Sequence, residues 1–412
     1  VKIVDVCEFY SEFGGGVRTY VAQKLAASAR EGHHTVIVAP GPADRIEERE
    51  GGRIVWLRAP RILLDPRYHI FRDRNAIQRV LHREAPDVVE GSSPWVGGWA
   101  VASWPGCAVK SFFVHQDPVA AYPHTLLAAR LGAPKVDALF GLFWRYLRAL
   151  SGRFDTTVVS GRWLADRLSR FGVKTPRAIR FGVEPELFSP ARRSLETRKR
   201  MLASCGIRDD RALLLVALGR HHPEKLPGML IDAVGRARCR VPVGLYMIGD
   251  GPLRRRLESR AARASGVFVA GQVTGRSDLA DLLASGDALL HGCPGETFGL
   301  AIAEAISSGL PLIVPATGGA AQLAEPAYAE TYEPFRVEAC AAAIERFALR
   351  DGRAMAAAAA AAASRQIRTS HEHFAELFAY YAELCSQPRA HDPQYSYLPL
   401  ADEQSVMAAS VQ

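Results

Sequence analysis

Glu296 and Glu304 stand eight positions apart in the string Gly295-Glu296-Thr297-Phe298-Gly299-Leu300-Ala301-Ile302-Ala303-Glu304-Ala305. The first falls in a Gly/Pro turn, Cys293-Pro294-Gly295, and the second in a strong helix pattern. A turn that opens a helix leaves backbone N–H groups free to hold a phosphate, which places Thr297, Phe298, Gly299 and Leu300 beside such a ligand. Glu304 is expected about two turns into the helix, ~12 Å along its axis at most. Carboxylates spaced in this way suit hydroxyls on opposite sides of a bound phosphate, the layout of a sugar nucleotide. A lone Glu-x7-Glu pair arises by chance. The whole string is more specific, because an apolar strand over 310–315 and Thr317-Gly318-Gly319 follow it.

Leu218-Gly219-Arg220-His221-His222-Pro223-Glu224-Lys225 carries a second chemical signal. A leaving nucleoside diphosphate gains negative charge, and Arg220 and Lys225 aimed at it would stabilise the transition state without moving protons. Taken alone, the segment is equally an exposed basic turn. Val114-His115-Gln116-Asp117 ends a buried strand with two polar groups, and the bland reading of His115 is a histidine hydrogen-bonded at a strand end. Gly14-Gly15-Gly16 after the first strand permits close backbone approach to a ligand, yet it matches neither a Walker loop nor G-x-G-x-x-G. No D-x-D triplet occurs, so no metal is expected in the chemistry and no cofactor is called for.

The elements that must position these residues alternate. Strands are predicted at 3–6, 35–39, 54–57, 88–90, 109–114 and 156–159, with helices between them such as 17–31 and 74–84. The pattern restarts with strands at 213–218, 243–248, 267–269, 288–291 and 312–314. Alternation of this kind predicts an α/β chain with parallel sheets covered on both faces. Its two blocks predict two Rossmann-like β/α/β domains facing across a central cleft, where ligands sit at the strand carboxyl ends. The boundaries are drawn at 1–180, a linker at 181–194, 195–368, a terminal helix at 369–386 and a flexible tail at 387–412. An aromatic helix at 139–150 has spacing that suits either core or a membrane surface, with core preferred.

In order and position these motifs resemble those of the retaining glycosyltransferases of family 4, which have the GT-B fold, over roughly residues 1–385. The resemblance implies that Gly15 and Gly16 approach the donor diphosphate and acceptor, and that His115 orients the transferred sugar. It implies that Arg220 and Lys225 clamp the diphosphate, that the turn with Gly249 and Gly251 faces the nucleotide, and that Val273 lies where backbone reads the base. It also implies that the terminal helix crosses back onto the first domain. Two departures stand out: Leu226 replaces the usual glycine after the lysine, and Gln322 replaces a usual glutamate. The turn His291-Gly292-Cys293 loosely resembles that of some mannosyltransferases and tilts the donor toward GDP-mannose, with a UDP-hexose as alternative. The expected activity is therefore retaining, metal-independent hexosyl transfer from a nucleoside-diphosphate sugar to a hydroxyl of a glycan, lipid-linked or small-molecule acceptor. From other classes, a nicotinamide-dependent oxidoreductase lacks its G-x-G-x-x-G signature in either half, and a non-catalytic sugar-nucleotide-binding protein is separated only by assay.

Composition agrees with a globular protein: 48% apolar and 23% charged residues, in 412. The first residues read as a strand rather than a signal peptide. The seven cysteines have no C-x-x-C spacing, which points to reduced thiols and a cytoplasmic protein. Residues 1–180 hold 26 Lys and Arg against 17 Asp and Glu, so the net charge of +8 sits wholly in the first half. Arg53, Arg58, Arg61, Arg67, Arg72, Arg74, Arg79 and Arg83 face only Asp65 and Asp73 between them. The run is either a solvated surface or a site for an anionic acceptor or the inner face of an anionic membrane, and Arg67, Arg72, Arg74 and Asp117 are the acceptor-side candidates. Nucleic acid is not expected, because no recognised binding module accompanies the charge.

Overall fold

The structure is a computed structural model that describes residues 1–12, 16–62, 65–174 and 176–387, with backbone only at 65–67. Gly15, the side chain of Arg67 and the tail from 388 onward lie outside the described residues.

The first sheet comprises β1 (Lys2–Val6), β2 (His34–Gly41), β3 (Arg45–Arg49), β4 (Gly52–Arg58), β5 (Val88–Gly91), β6 (Val109–Val114), β7 (Thr156–Val159) and β8 (Pro176–Ala178). Its order is β8-β7-β6-β5-β1-β2-β4-β3, parallel throughout except for the antiparallel edge pair β3–β4. The second sheet comprises β9 (Leu213–Leu218), β10 (Val243–Ile248), β11 (Val267–Gly271), β12 (Ala288–Leu290), β13 (Leu312–Pro315) and β14 (Ala329–Tyr332). It runs β11-β10-β9-β12-β13-β14, all parallel. In both sheets the chain starts at the centre, builds outward on one side and then returns to build the other. The switch points, between β1 and β5 and between β9 and β12, open a crevice at the strand carboxyl ends.

Near-continuous apolar runs explain the central strands: Leu214, Leu215 and Val216 are fully buried, as a strand covered on both faces requires. The edge strands escaped the sequence reading for the same reason. Arg45–Arg49 is charged and mostly exposed, and Ala329–Tyr332 buries only its two end residues, so neither carries a buried-strand signal.

Two chain crossings join the domains side by side. Gly182 and Val183 pair in parallel with Arg368 and Thr369. A Cβ on Gly182 would stand 2.0 Å from the Thr369 carbonyl oxygen, so glycine is needed where the crossings touch. The helix Ser370–Ser386 then lies on the first domain, opened by a capping box between Thr369 and Glu372. Tyr381 Oη meets Ser111 Oγ at 3.0 Å, Tyr380 Oη meets Thr156 Oγ1 at 2.7 Å, and Phe374 packs on Tyr20. One buried apolar cluster runs from Ile3 and Val109 through Phe374 and Leu377 to Leu214 and Ile302, so the domains share a core.

The aromatic helix breaks at Phe140 into Ala133–Leu139 and Gly141–Ser151. Its inner face is core, with Trp144 stacked on Phe171 at 3.9 Å between ring centroids. Leu139 and Leu142 instead are exposed, which the core reading did not foresee.

Candidate active site

Both switch points open into one cleft of about 440 Å³, a volume suited to a small organic ligand. Gly16, Tyr20 and His115 line it from the first domain. From the second come Arg220, Lys225, Gly249, Val273, Glu296, Gly299, Leu300 and Glu304.

The Glu304 helix spans Leu300–Ser307, capped by Gly299 in the left-handed conformation at φ 87°. Gly299 delays the helix start, so Glu304 lies about one turn in, ~6 Å along the axis, rather than two. The first intrahelical acceptor is the Gly299 carbonyl, which takes bonds from Ile302 and Ala303. The Leu300 and Ala301 amides come before the first bonded amides of the helix, and both residues line the cleft. Thr297 and Phe298 line the cleft, as the phosphate role expected of their backbone requires, while their side chains join the two domains. Thr297 Oγ1 donates to the His115 carbonyl at 2.9 Å, and Phe298 is buried edge-on against Phe181. Both residues also line the cleft, so the contacts that join the domains lie in its wall.

Lys225 Nζ donates to Glu296 Oε2 at 2.7 Å. Burial disfavours both charges, but Cys293, Glu296 and Glu224 hold the Lys225 ammonium well above its ordinary pKa. Lys225 and His291 likewise override burial and hold Glu296 far below the usual carboxylate range. Arg220 reaches across the cleft, its guanidinium 5.1 Å from the ring centroid of Tyr68 in the first domain. A further link between the domains runs from Gln116 Nε2 to Glu224 Oε2 at 2.6 Å.

Glu304 is pushed up to about 7 by burial, with Glu184 adding to the rise and Arg276 opposing it from 3.6 Å. Arg276 also bonds Glu184 at 2.6 Å. Sequence reasoning missed Arg276, Gln116 and Tyr68 as cleft residues. Arg276 had a signal, as the first residue of the helix after the Val273 loop.

His115 is stacked on Phe113 at 4.5 Å and edge-on to Tyr20 at 5.5 Å. Burial pushes its pKa down to about 4, so the imidazole is neutral at physiological pH. Beneath it Lys24 is fully buried between Asp5 and Glu90.

Several expected residues fall elsewhere. Asp117 does not line the cleft: it is fully buried, its Oδ1 caps the helix at Val119 and Ala120, and its Oδ2 pairs with Arg167. The acceptor-side role expected of it gives way to a structural one. Gly251 packs on His221, where a Cβ would stand 2.5 Å from its carbonyl oxygen, while Gly249 reaches the cleft wall. Arg72 and Arg74 are exposed but lie outside the cleft lining, with Arg74 5.9 Å from the Trp99 ring. Part of the arginine run is neutralised by acids that the local count left out: Arg53 bonds Glu84 at 2.6 Å and Arg83 approaches the same carboxylate at 3.4 Å.

Two family models match the chain in the order of its two sheets. Residues 14–187 match Glycosyltransferase Family 4, and residues 212–349 match Glycosyl transferases group 1. The chain belongs to glycosyltransferase family 4. As a family 4 enzyme it is a retaining GT-B transferase that moves a hexose from a nucleoside-diphosphate sugar. It is 28% identical over 331 residues to a GDP-mannose-dependent alpha-(1-6)-phosphatidylinositol dimannoside mannosyltransferase of Mycobacterium tuberculosis, covering 78% of this chain and 81% of that one. It is 26% identical to a GDP-mannose-dependent alpha-mannosyltransferase of Corynebacterium glutamicum, covering 77% and 73% of the respective chains. Among solved structures it is similar to sucrose-phosphate synthase of Thermosynechococcus elongatus, with a TM-score of 0.71 at 19% identity over 93% of this chain and 98% of that one.

The two departures from the family pattern have structural answers. Leu226 adopts φ 47°, ψ 40°, the left-handed conformation that glycine favours, so a non-glycine residue fills a position whose backbone suits glycine. Gln322 Oε1 accepts from the Trp163 amide at 2.9 Å. That amide opens the first-domain helix Arg162–Arg170, whose Gly161 cap supplies no side-chain bond. A neutral acceptor suffices there, and it ties the second domain to the first.

Proposed function

We propose that this family 4 enzyme is a GDP-mannose-dependent mannosyltransferase whose acceptor hydroxyl belongs to a lipid-linked or glycan substrate. The observation that carries the reading is the cleft itself, which Arg220, Lys225 and the first helical residues Leu300 and Ala301 line together. Together they form a cationic cradle for a diphosphate, and the two relatives described above are named for GDP-mannose.

In this reading the nucleotide lies along the second domain. Val273 faces the base, Glu304 binds ribose hydroxyls, and Arg220 and Lys225 hold the diphosphate. Glu296 meets the transferred sugar, and neutral His115 donates or accepts a hydrogen bond beside the reacting carbon. As the glycosidic C–O bond breaks, charge grows on the phosphate. Fixed cations in a partly dehydrated cleft stabilise it without reorganising. Arg220 and Lys225 supply the charge that a bound metal supplies elsewhere, so transfer proceeds in EDTA.

For the acceptor side we propose contact with an anionic lipid surface. The helices Pro123–Leu131, Ala133–Leu139 and Gly141–Ser151 expose Leu126, Leu139 and Leu142 together with Arg130, Lys135 and Arg145. Apolar and basic groups on one set of helices suit an interfacial docking face. Among the described residues no helix is long and apolar enough to cross a membrane.

The test is mannose transfer from GDP-mannose to lipid extract, run against GDP-glucose, UDP-glucose and UDP-galactose with the same acceptors. Label appearing in lipid or glycan only from GDP-mannose supports the reading. Transfer from a UDP-hexose alone replaces it with the UDP alternative.

A further inference from the structure

Three unlike ligand groups converge where the second domain's switch point meets the cleft. His291 Nε2, Cys293 Sγ and a carboxylate oxygen of Glu296 lie within 4.8 Å of one another. Cys293 and Glu296 line the cleft, and His291 stands behind them, 5% exposed. His291 Nε2 is buried, and its contact with Glu296 Oε2 at 3.4 Å is a long ionic one that falls short of hydrogen-bond geometry. A buried ring nitrogen left in that state is costly and calls for a physical reason.

The backbone around the turn is fixed. The His291 amide donates to the Ile313 carbonyl at 2.9 Å, and Tyr332 Oη donates to the His291 carbonyl at 2.6 Å. Gly292 lies against the Lys225 backbone, where a Cβ would be 2.5 Å from the carbonyl oxygen. The ligand groups therefore project from a rigid frame.

Imidazole, thiolate and carboxylate are the donor set of Zn²⁺, whereas Mg²⁺ and Ca²⁺ prefer oxygen alone. Around a tetrahedral zinc ion neighbouring donors stand roughly 3.3–3.6 Å apart. The His291–Glu296 pair is already at that spacing, and Cys293 Sγ lies within 4.8 Å of both.

We propose that His291, Cys293 and Glu296 form a Zn²⁺ site in the wall of the donor cleft, and that zinc displaces Lys225 from Glu296. The site stands on its own geometry, while its consequence for activity rests on the reading of Lys225 as a diphosphate clamp. Lys225 and zinc compete for one carboxylate, and their charges repel at such range. The flexible lysine stem lets the ammonium swing into the open cleft. Zinc binding converts the Cys293 thiol to a Zn–S bond and releases one proton to solvent, so affinity rises with pH. Three protein ligands leave the fourth position to water. Zinc is an inhibitor in this arrangement and takes no part in transfer.

Co²⁺ added to the full chain, followed by Zn²⁺ competition with a chromophoric chelator, tests the site without any transferase assay. The wild type is expected to show thiolate-to-cobalt charge transfer and tetrahedral ligand-field bands at one equivalent. Cys293→Ser should lose the charge-transfer band and weaken Zn²⁺ by ~10- to 100-fold or more. Lys225→Met should bind Zn²⁺ more tightly than the wild type, because the competing cation is gone. Identical cobalt spectra in wild type and Cys293→Ser would overturn the site. Unchanged or weaker zinc affinity in Lys225→Met would overturn the displacement. Neither outcome depends on which sugar nucleotide the cleft takes.

Discussion

Lys225 Nζ and Glu296 Oε2 meet at 2.7 Å, joining the loop after β9 to the turn after β12 across the second domain's switch point. From sequence these two groups had separate tasks, one on the diphosphate and one on the sugar. Their contact means that each holds the other charged and in place before a donor arrives. Lys225→Met is expected to lower nucleoside-diphosphate affinity and turnover by ~10- to 100-fold each, the worth of one charge-assisted hydrogen bond. Glu296→Gln keeps the shape and should reduce turnover while leaving nucleoside-diphosphate binding within a few-fold. Calorimetry and steady-state kinetics on the two variants separate these effects, and equal losses of affinity in both would contradict the split.

Glu304 has a different signature. Its carboxyl is raised to about 7 by burial, so the folded chain holds a proton that the unfolded chain releases near its ordinary pKa of 4.5. Stability attributable to this group is therefore full below the unfolded value and falls as pH rises through about 7. Glu304→Gln should raise the melting temperature at pH 8 relative to wild type, with a smaller difference at pH 5. It should also weaken free nucleoside diphosphate, because the ribose contact is lost. A melting difference that does not change with pH would remove the buried-carboxyl account.

Much of the core was legible in the residues, because β6, β7, β9 and β10 are apolar runs whose ends coincide with turn residues. Edge strands were not, since Arg45–Arg49 and Ala329–Tyr332 need little burial to hold their places. The cleft residues were legible by motif. What their side chains touch was not: Asp117 looked like a cleft acid, but its capping of Val119 and Ala120 and its pairing with Arg167, fifty residues on, exist only after folding. Arg276 and Gln116 were invisible for the converse reason, because their partners Glu304 and Glu224 come from distant segments, the helix Leu300–Ser307 and the turn after β9.

His115 and His373 are buried, and burial depresses them to about 4 and about 3. Each binds fewer protons folded than unfolded once pH drops below ~6.5. Their contribution is present above that value and is lost as pH falls toward the folded pKa values. Stability is expected to decline between pH 6.5 and about 4, with His373→Gln showing a shallower slope in urea titrations across that range. An unchanged slope would place the acid sensitivity elsewhere.

Lipid docking should respond separately to its two components. Replacing Arg130, Lys135 and Arg145 by Ser is expected to weaken binding to anionic vesicles at low salt, since the Debye length shrinks from ~10 Å at 0.1 M to ~3 Å at 1 M. Replacing Leu139 and Leu142 by Ser should reduce the part of the binding that survives high salt. Sedimentation with neutral and anionic vesicles reads both. Equal binding to the two vesicle types, unaffected by either set of changes, would mean that these side chains are ordinary surface.

The central claim is that this cleft holds a guanosine diphosphate sugar by cations alone. Calorimetric titration of the wild type with GDP, UDP, ADP and NAD in excess EDTA tests it most directly. GDP should bind tightest with one site per chain, and Lys225→Met should weaken it by ~10- to 100-fold. Tightest binding of NAD, or nucleoside-diphosphate binding that vanishes in EDTA and returns with Mn²⁺, would contradict it.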